Sequence, residues 1–263
     1  MSSLLKSAWQ YRGFVSSSVK NEYRSRLVRS RFGTLWLVLH PLAQVLVFAV
    51  VFSNLLGARI PGVDNKYSFT VYMLAGILCW SLFSEIVNRC LTIFVENGSL
   101  LKKIRFPRIC LPLIAVGMTL VSNVALLAVI ILILPVLGFM PNIHWLWLPV
   151  LIGTTLVLAT GIGVLLGVLN VFARDVGEVM AVILQFWFWL TPIVYPVTII
   201  PEGLRAVLWL NPLVPLVQGY QNVLVFGRPP GSSLWGVAVL ALVFVAAALF
   251  LFRRASAEMV DVL

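Results

Sequence analysis

A chain of 263 residues that is 61% hydrophobic and only 11% charged lies far outside the composition of soluble domains, in which apolar residues make up about 45–50%. It reads as a polytopic membrane protein whose spans leave no room for a second globular domain of about 100 residues or more, so any energy-supplying domain is expected on another chain. The net charge of +10 does not indicate nucleic acid, because the cations gather beside the predicted membrane edges, where anionic headgroups and topology account for them.

Residues 1–33 hold seven cations, Lys6, Arg12, Lys20, Arg24, Arg26, Arg29 and Arg31, and one acid, Glu22. With no early apolar core this is not a cleavable signal peptide, and the N-terminus is expected to stay inside. Leu4, Ala8, Tyr11, Val15, Val19 and Tyr23 recur at spacings of three and four, which describes an amphipathic helix lying in the membrane interface. The first span follows at 34–56, with His40 and Pro41 near its inner end, and 57–68 is an outer loop. About 20 residues suffice to cross the hydrocarbon.

The second span, 69–95, contains Glu85, Asn88 and Arg89. Ions inside a span require a partner or a wet cavity, and Glu85 four residues before Arg89 is the favourable helical order for an ion pair. A structural pair facing the bundle interior and a pore-lining role both fit. Between this span and the third, 112–138, lies LLKKIRFPRICLP, residues 100–112, with Lys102, Lys103, Arg105 and Arg108 within seven positions. Such a loop belongs on the cytoplasmic side. Leu100 to Phe106 can form about two helical turns before Pro107, and Leu101, Ile104 and Phe106, interleaved with the cations, suit a helix docking on a cytosolic partner.

A short outer turn, 139–144, precedes the fourth span, 145–172. Within it GIGVLLG, Gly161 to Gly167, lacks the strand and the GK[ST] of a nucleotide loop, whereas Gly163 and Gly167 make the GxxxG of close helix packing. Arg174, Asp175 and Glu178 form an inner turn before the fifth span, 179–195, which includes Phe186, Trp187, Phe188 and Trp189. Beyond it, Pro201 and Glu202 suit a helix start, Asn211 and Pro212 interrupt, and a second helix of about a dozen residues stops at Gly227 before Pro229 and Pro230. Neither helix is long enough to cross. Read as a re-entrant pair, they leave Arg253 and Arg254, at the end of the last span 235–252, on the inside. Only Arg59, Lys66, Arg205 and Arg228 then fall outside. Six transmembrane helices with both termini cytoplasmic are therefore expected, in an all-α membrane protein without internal repeats.

Catalytic motifs are missing: there is no Walker sequence, HExxH or nucleophile elbow, and His40 and His144 are far apart. Cys79, Cys90 and Cys110 show neither disulfide nor metal spacing and read as packing residues. A transport subunit powered by another chain leads, ahead of a secondary transporter, which favours repeats and several buried titratable groups, and a membrane-embedded glycan-lipid transferase, for which Asp175 and Glu178 would be the acidic ligands.

Five stretches in order carry a likeness: FGTLW at 32–36 after the basic leader, the KKIRFPR loop, NVFARDVG at 170–177, TPIVYP at 191–196 and LNPL at 210–213. Together they resemble the ABC-2 family of export permeases nearly end to end, most of all the membrane subunits of Gram-negative O-antigen polysaccharide exporters, with capsule and teichoic-acid exporters as relatives. The resemblance implies a single transmembrane domain over residues 1–263 in the bacterial inner membrane. It further implies a homodimer joined to two cytosolic ATPase subunits that bind the ATP and magnesium, so that this chain holds no cofactor. The implied cargo is undecaprenyl-diphosphate-linked polysaccharide. By the same resemblance, residues 4–30 match an interface helix, Leu101, Lys102, Lys103, Ile104, Arg105, Phe106 and Arg108 a coupling helix, and 202–226 outer gate helices. Family members often carry Arg where this chain has the neutral Gln221. A glycan path calls for flat rings that let sugar slide, and Trp187, Trp189, Tyr195 and Tyr220 are the candidates nearest the gate.

Overall fold

The computed structural model describes residues 9–28, 36–55, 57, 59–98, 107–256 and 258–259, and the regular structure among them is helical throughout. Among these described residues nine α-helices follow in order: α1 (Arg12–Val28), α2 (Trp36–Phe48), α3 (Ser68–Glu96), α4 (Cys110–Ile133), α5 (Leu148–Phe172), α6 (Asp175–Leu190), α7 (Glu202–Leu208), α8 (Leu213–Leu224) and α9 (Ser233–Ala255). A π-helical stretch, Ala49–Leu55, prolongs α2, and a 3₁₀ turn, Ile143–Trp147, leads into α5. Among the described residues, four helical segments are long and apolar enough to cross a membrane: Ser68–Glu96, Cys110–Ile133, Ile143–Phe172 and Ser233–Ala255.

Two predicted spans end differently. The third stops as α-helix at Ile133 rather than 138, and the chain turns through Pro135 to Gly138, whose φ of +87° needs glycine. The fifth runs from Asp175 to Leu190 rather than 179–195. Pro192 disfavours helical backbone in the residue before it, and Thr191 is accordingly extended, with φ −103° and ψ 132°. At 16 residues, α6 is about 24 Å long, less than the roughly 30 Å hydrocarbon core.

α3 is the centre of the bundle. Leu82, Phe83, Ile86, Val87, Cys90 and Phe94 are fully buried on it, and α5 packs between it and α9. Glycines allow this. A Cβ on Gly163 would stand 2.8 Å from the Cys90 Cβ, one on Gly167 would overlap the Cys90 carbonyl, and one on Gly161 would stand 2.8 Å from the Val245 nitrogen of α9. The GxxxG pair therefore faces α3 while Gly161 faces α9, and no side chain separates the backbones.

At one end of the bundle, Asn170 Nδ2 donates to the Leu91 carbonyl at 2.9 Å, Phe94 stacks on Phe252 at 5.7 Å, and Arg108 Nη1 donates to Ser256 Oγ at 2.9 Å. The start of α4 and the ends of α3, α5 and α9 meet there. At the other end, Asn65 Nδ2 donates to the Leu137 carbonyl at 2.9 Å. α8 dips into the bundle from that second end. It is buried almost all round although it carries Gln218, Gln221 and Asn222, and Gly219 lets it close on Leu151 of α5.

α1 lies along α4 by the stripe expected of it. Val19 sits against Gly117, and the Tyr23 hydroxyl donates to the Met118 carbonyl at 2.8 Å, 2.7 Å from Ser122 Oγ. Leu4 and Ala8 lie outside the described residues. The outward faces of α4 and α9 remain apolar, with Val124, Leu132, Val239, Leu242 and Phe250 exposed.

Gly167→Val should lower folded yield and thermal stability in detergent by an amount in keeping with over-packing, about 1–3 kcal/mol. Gly153→Ala, whose Cβ would meet nothing within 4 Å, should leave both unchanged. Equal melting of the two variants would show that the close approach is not needed.

Candidate functional site

The last turn of α6 and the segment after it form an aromatic cavity of about 400 Å³, lined by Trp187, Leu190, Tyr195, Ile200, Leu208 and Asn211 among others. Asn211 organises it. Its Oδ1 accepts from Trp187 Nε1 at 2.8 Å and from the Leu213 backbone N–H at 3.0 Å, while its Nδ2 donates to Thr191 Oγ1 at 3.0 Å. Thr191 Oγ1 in turn donates to the Trp187 carbonyl at 2.8 Å. One amide thus joins the end of α6 to the start of α8 and orients the indole. The Tyr195 hydroxyl donates to the Trp189 carbonyl at 2.7 Å, which folds the TPIVYP segment back over the helix end. Arg205 of α7 donates to the Ile200 carbonyl at 2.9 Å, tying α7 to the same segment.

The four aromatic candidates are not brought together. Trp187 and Tyr195 share the cavity. Trp189 is 59% exposed and points outward, whereas Tyr220 is fully buried, its hydroxyl 3.5 Å from Thr155 Oγ1. Next to it, the buried Gln221 donates through Nε2 to the Pro192 carbonyl at 3.0 Å. A neutral amide satisfies that carbonyl without burying a charge.

The intramembrane pair forms as its spacing foretold. Arg89 Nε and Nη2 both reach Glu85 Oε1, at 2.9 and 2.8 Å, with both side chains partly exposed. Arg89 also borders a cavity of about 780 Å³ at the end of the bundle where α3 and α5 finish, whose wall includes Arg174, Glu22, Glu96, Glu178 and Asn170. Asn170 holds this mouth, accepting from the Gly177 N–H at 2.9 Å while donating to Leu91. The NVFARDVG turn is therefore fastened to α3 by one side chain. Leu101, Lys102, Lys103, Ile104, Arg105 and Phe106 lie outside the described residues. Arg108, just beyond them, is fixed to Ser256 after α9.

Sequence reasoning missed Asn211 and Asn170 as connectors. Each stood in a quoted stretch, and an asparagine before a proline or at a helix end is a turn signal, but its partners lie 20 and 79 residues away.

This helical fold, with four long apolar helices among the described residues, an aromatic end and a charged mouth, is that of a membrane protein. Residues 15–225 match the ABC-2 type transporter family, and the chain belongs to it. It is 30% identical over 261 residues to the O-antigen export system permease protein RfbA of Myxococcus xanthus, covering 98% of each chain. It is 28% identical over 213 residues to the protein of the same name from Klebsiella pneumoniae, covering 81% of this chain and 78% of that one. Over 234 residues it is 26% identical to the polysialic acid transport protein KpsM of Escherichia coli, covering 88% of this chain and 89% of that one.

Leaving one ion of the pair alone in a span costs about 2.5–3.5 kcal/mol on insertion scales. Glu85→Gln and Arg89→Gln should each lower folded yield, and the double variant should lose less than their sum. A double variant as poor as that sum would argue that the contact contributes nothing.

Proposed function

We propose that the chain is the membrane-spanning subunit of an ABC exporter that carries a lipid-linked polysaccharide out of the cytoplasm across the bacterial inner membrane. The observation that carries this reading is the likeness, over most of the chain, to permeases named for two glycans, O-antigen and polysialic acid. Greater identity over more of the chain favours O-antigen linked to undecaprenyl diphosphate, for lipopolysaccharide assembly; the polysialic acid relative keeps a capsule polymer as the second reading.

In this reading the chain crosses six times with both termini inside, α6 being a short fifth crossing and α7 with α8 a re-entrant gate. Contacts support the count. Tyr72, near the start of α3, donates to the Pro192 and Tyr195 carbonyls at 3.4 and 3.3 Å, and Gly76 abuts Ile193, so the chain after α6 stays at the end where α3 begins. The permease acts as a homodimer with two copies of a cytosolic ATPase, which binds ATP and magnesium. The basic segment 101–108 takes up the motion of ATP hydrolysis and, through Arg108 and the adjoining start of α4, passes it to the bundle. Glycan leaves past Trp187 and Tyr195, whose rings offer broad contact with few fixed hydrogen bonds.

Charge reversal at Lys102 and Arg105 should abolish surface polysaccharide, read by immunoblot, while the ATPase still copurifies or turns over without coupling. Normal export from a normally assembled complex would reduce the loop to a topological signal. Export that survives loss of the ATPase would instead favour a secondary transporter.

A further inference from the structure

A second polar cavity, of about 340 Å³, lies between α2, α3 and α4, at the small end of the roughly 300–1,000 Å³ of ligand pockets. Its wall carries His40 and Gln44 from α2, Ser81 and Glu85 from α3, and Ser122 and Asn123 from α4, together with the indole of Trp36. A junction of spans is ordinarily filled with aliphatic side chains, because polar groups in hydrocarbon need partners. Here one partner is lacking. Asn123 is 3% exposed, and its Nδ2 donates to the Leu78 carbonyl at 3.0 Å. That bond fixes the amide, since flipping it would set two acceptors against each other. Its Oδ1, buried, has no hydrogen-bond partner among the described residues. Glu85 is half-used in the same way, because both bonds from Arg89 go to Oε1.

The cavity thus presents Glu85 Oε2, which takes no bond among the described residues, beside the Gln44 amide and the His40 imidazole, each able to donate and accept. Asn123 Oδ1 lies behind this wall, and Ser81 Oγ already donates to the Leu78 carbonyl at 3.2 Å and is 3.5 Å from Asn123 Nδ2. Hydroxyl groups match such a set, since each donates and accepts. The Trp36 indole adds an apolar surface for the C–H face of a ring. Phosphate does not fit, because the one carboxylate in the wall is acidic and its cation, Arg89, borders the other cavity. Ser81, Glu85, Arg89, Thr92 and Glu96 recur at spacings of three and four and so share a face of α3. That face runs from the small cavity into the large one, with the Glu85–Arg89 pair between them.

We propose that the cavity between α2, α3 and α4 is a binding subsite for one uncharged sugar ring of the transported glycan, reached from the larger cavity past the Glu85–Arg89 pair. The proposal rests on the exporter reading above. To test it, p-benzoylphenylalanine replaces Gln44 in the full chain in its native host, and cells are irradiated while making their own polysaccharide. The purified chain is then stained for glycan with periodate and hydrazide. A glycan-bearing adduct is expected at Gln44 and none at Val124, which is exposed on α4. His40→Phe, which keeps a ring on the wall but removes both hydrogen-bonding nitrogens, should lower that adduct and surface polysaccharide at least fivefold. Should this variant fold poorly, the Gln44 adduct alone decides. No glycan at Gln44 overturns the subsite whatever else is seen. An adduct at Leu190, in the outer cavity, then leaves the exporter reading standing, whereas surface polysaccharide that survives deletion of the chain removes that reading as well.

Discussion

The close approach of α5 to α3 at Gly163 and Gly167 is the contact on which the rest of the bundle depends. Side chains at those positions would collide with Cys90 and hold the helices apart. Because they are absent, α3 buries Leu82, Phe83, Ile86, Val87 and Cys90 against its neighbours. Ser81, Glu85, Arg89, Thr92 and Glu96 of α3 are then left to face the two cavities.

A second constraint comes from hydrocarbon itself, which cannot satisfy loose backbone groups. Asparagines answer it at four places where the chain turns. Asn65 reaches Leu137, Asn142 accepts from the His144 N–H, Asn170 joins Leu91 to Gly177, and Asn211 joins Trp187 to Leu213. An amide both donates and accepts, so one uncharged side chain serves two elements. This is what permits helices as short as α7 and α8 at the aromatic end. Asn123 departs from the pattern, with one half of its amide unused.

Much of the fold was legible in the sequence because its signals are local. The apolar run of the second span gave α3 to within a residue at each end, and the prolines and Gly227 marked the two short helices. The Glu85–Arg89 pair followed from a spacing of four on one helix. The ends of α4 and α6 did not, since Leu134 to Gly138 and Pro192 to Tyr195 are as apolar as the helices before them, and hydropathy alone carries no record of a turn. Facing was illegible too. Tyr220 and Trp189 are both ring residues near the gate, yet one is sealed in the core and the other points outward. Which it is depends on Leu151 and Thr155 of α5 meeting Gly219 and Tyr220 of α8 across a long stretch of chain.

The account turns on the segment after α6 returning to the side it came from, because only an even number of crossings keeps Arg253 and Arg254 beside the inner basic loop. Substituted-cysteine labelling in spheroplasts tests this directly. Gly203, on exposed α7, and Glu258, beyond α9, each replaced by cysteine, would be challenged with a membrane-impermeant maleimide before and after lysis. Cys79, Cys90 and Cys110 are buried and give little background. The account predicts that Gly203→Cys labels in intact spheroplasts and Glu258→Cys only after lysis. Labelling of Glu258→Cys in intact spheroplasts would contradict it.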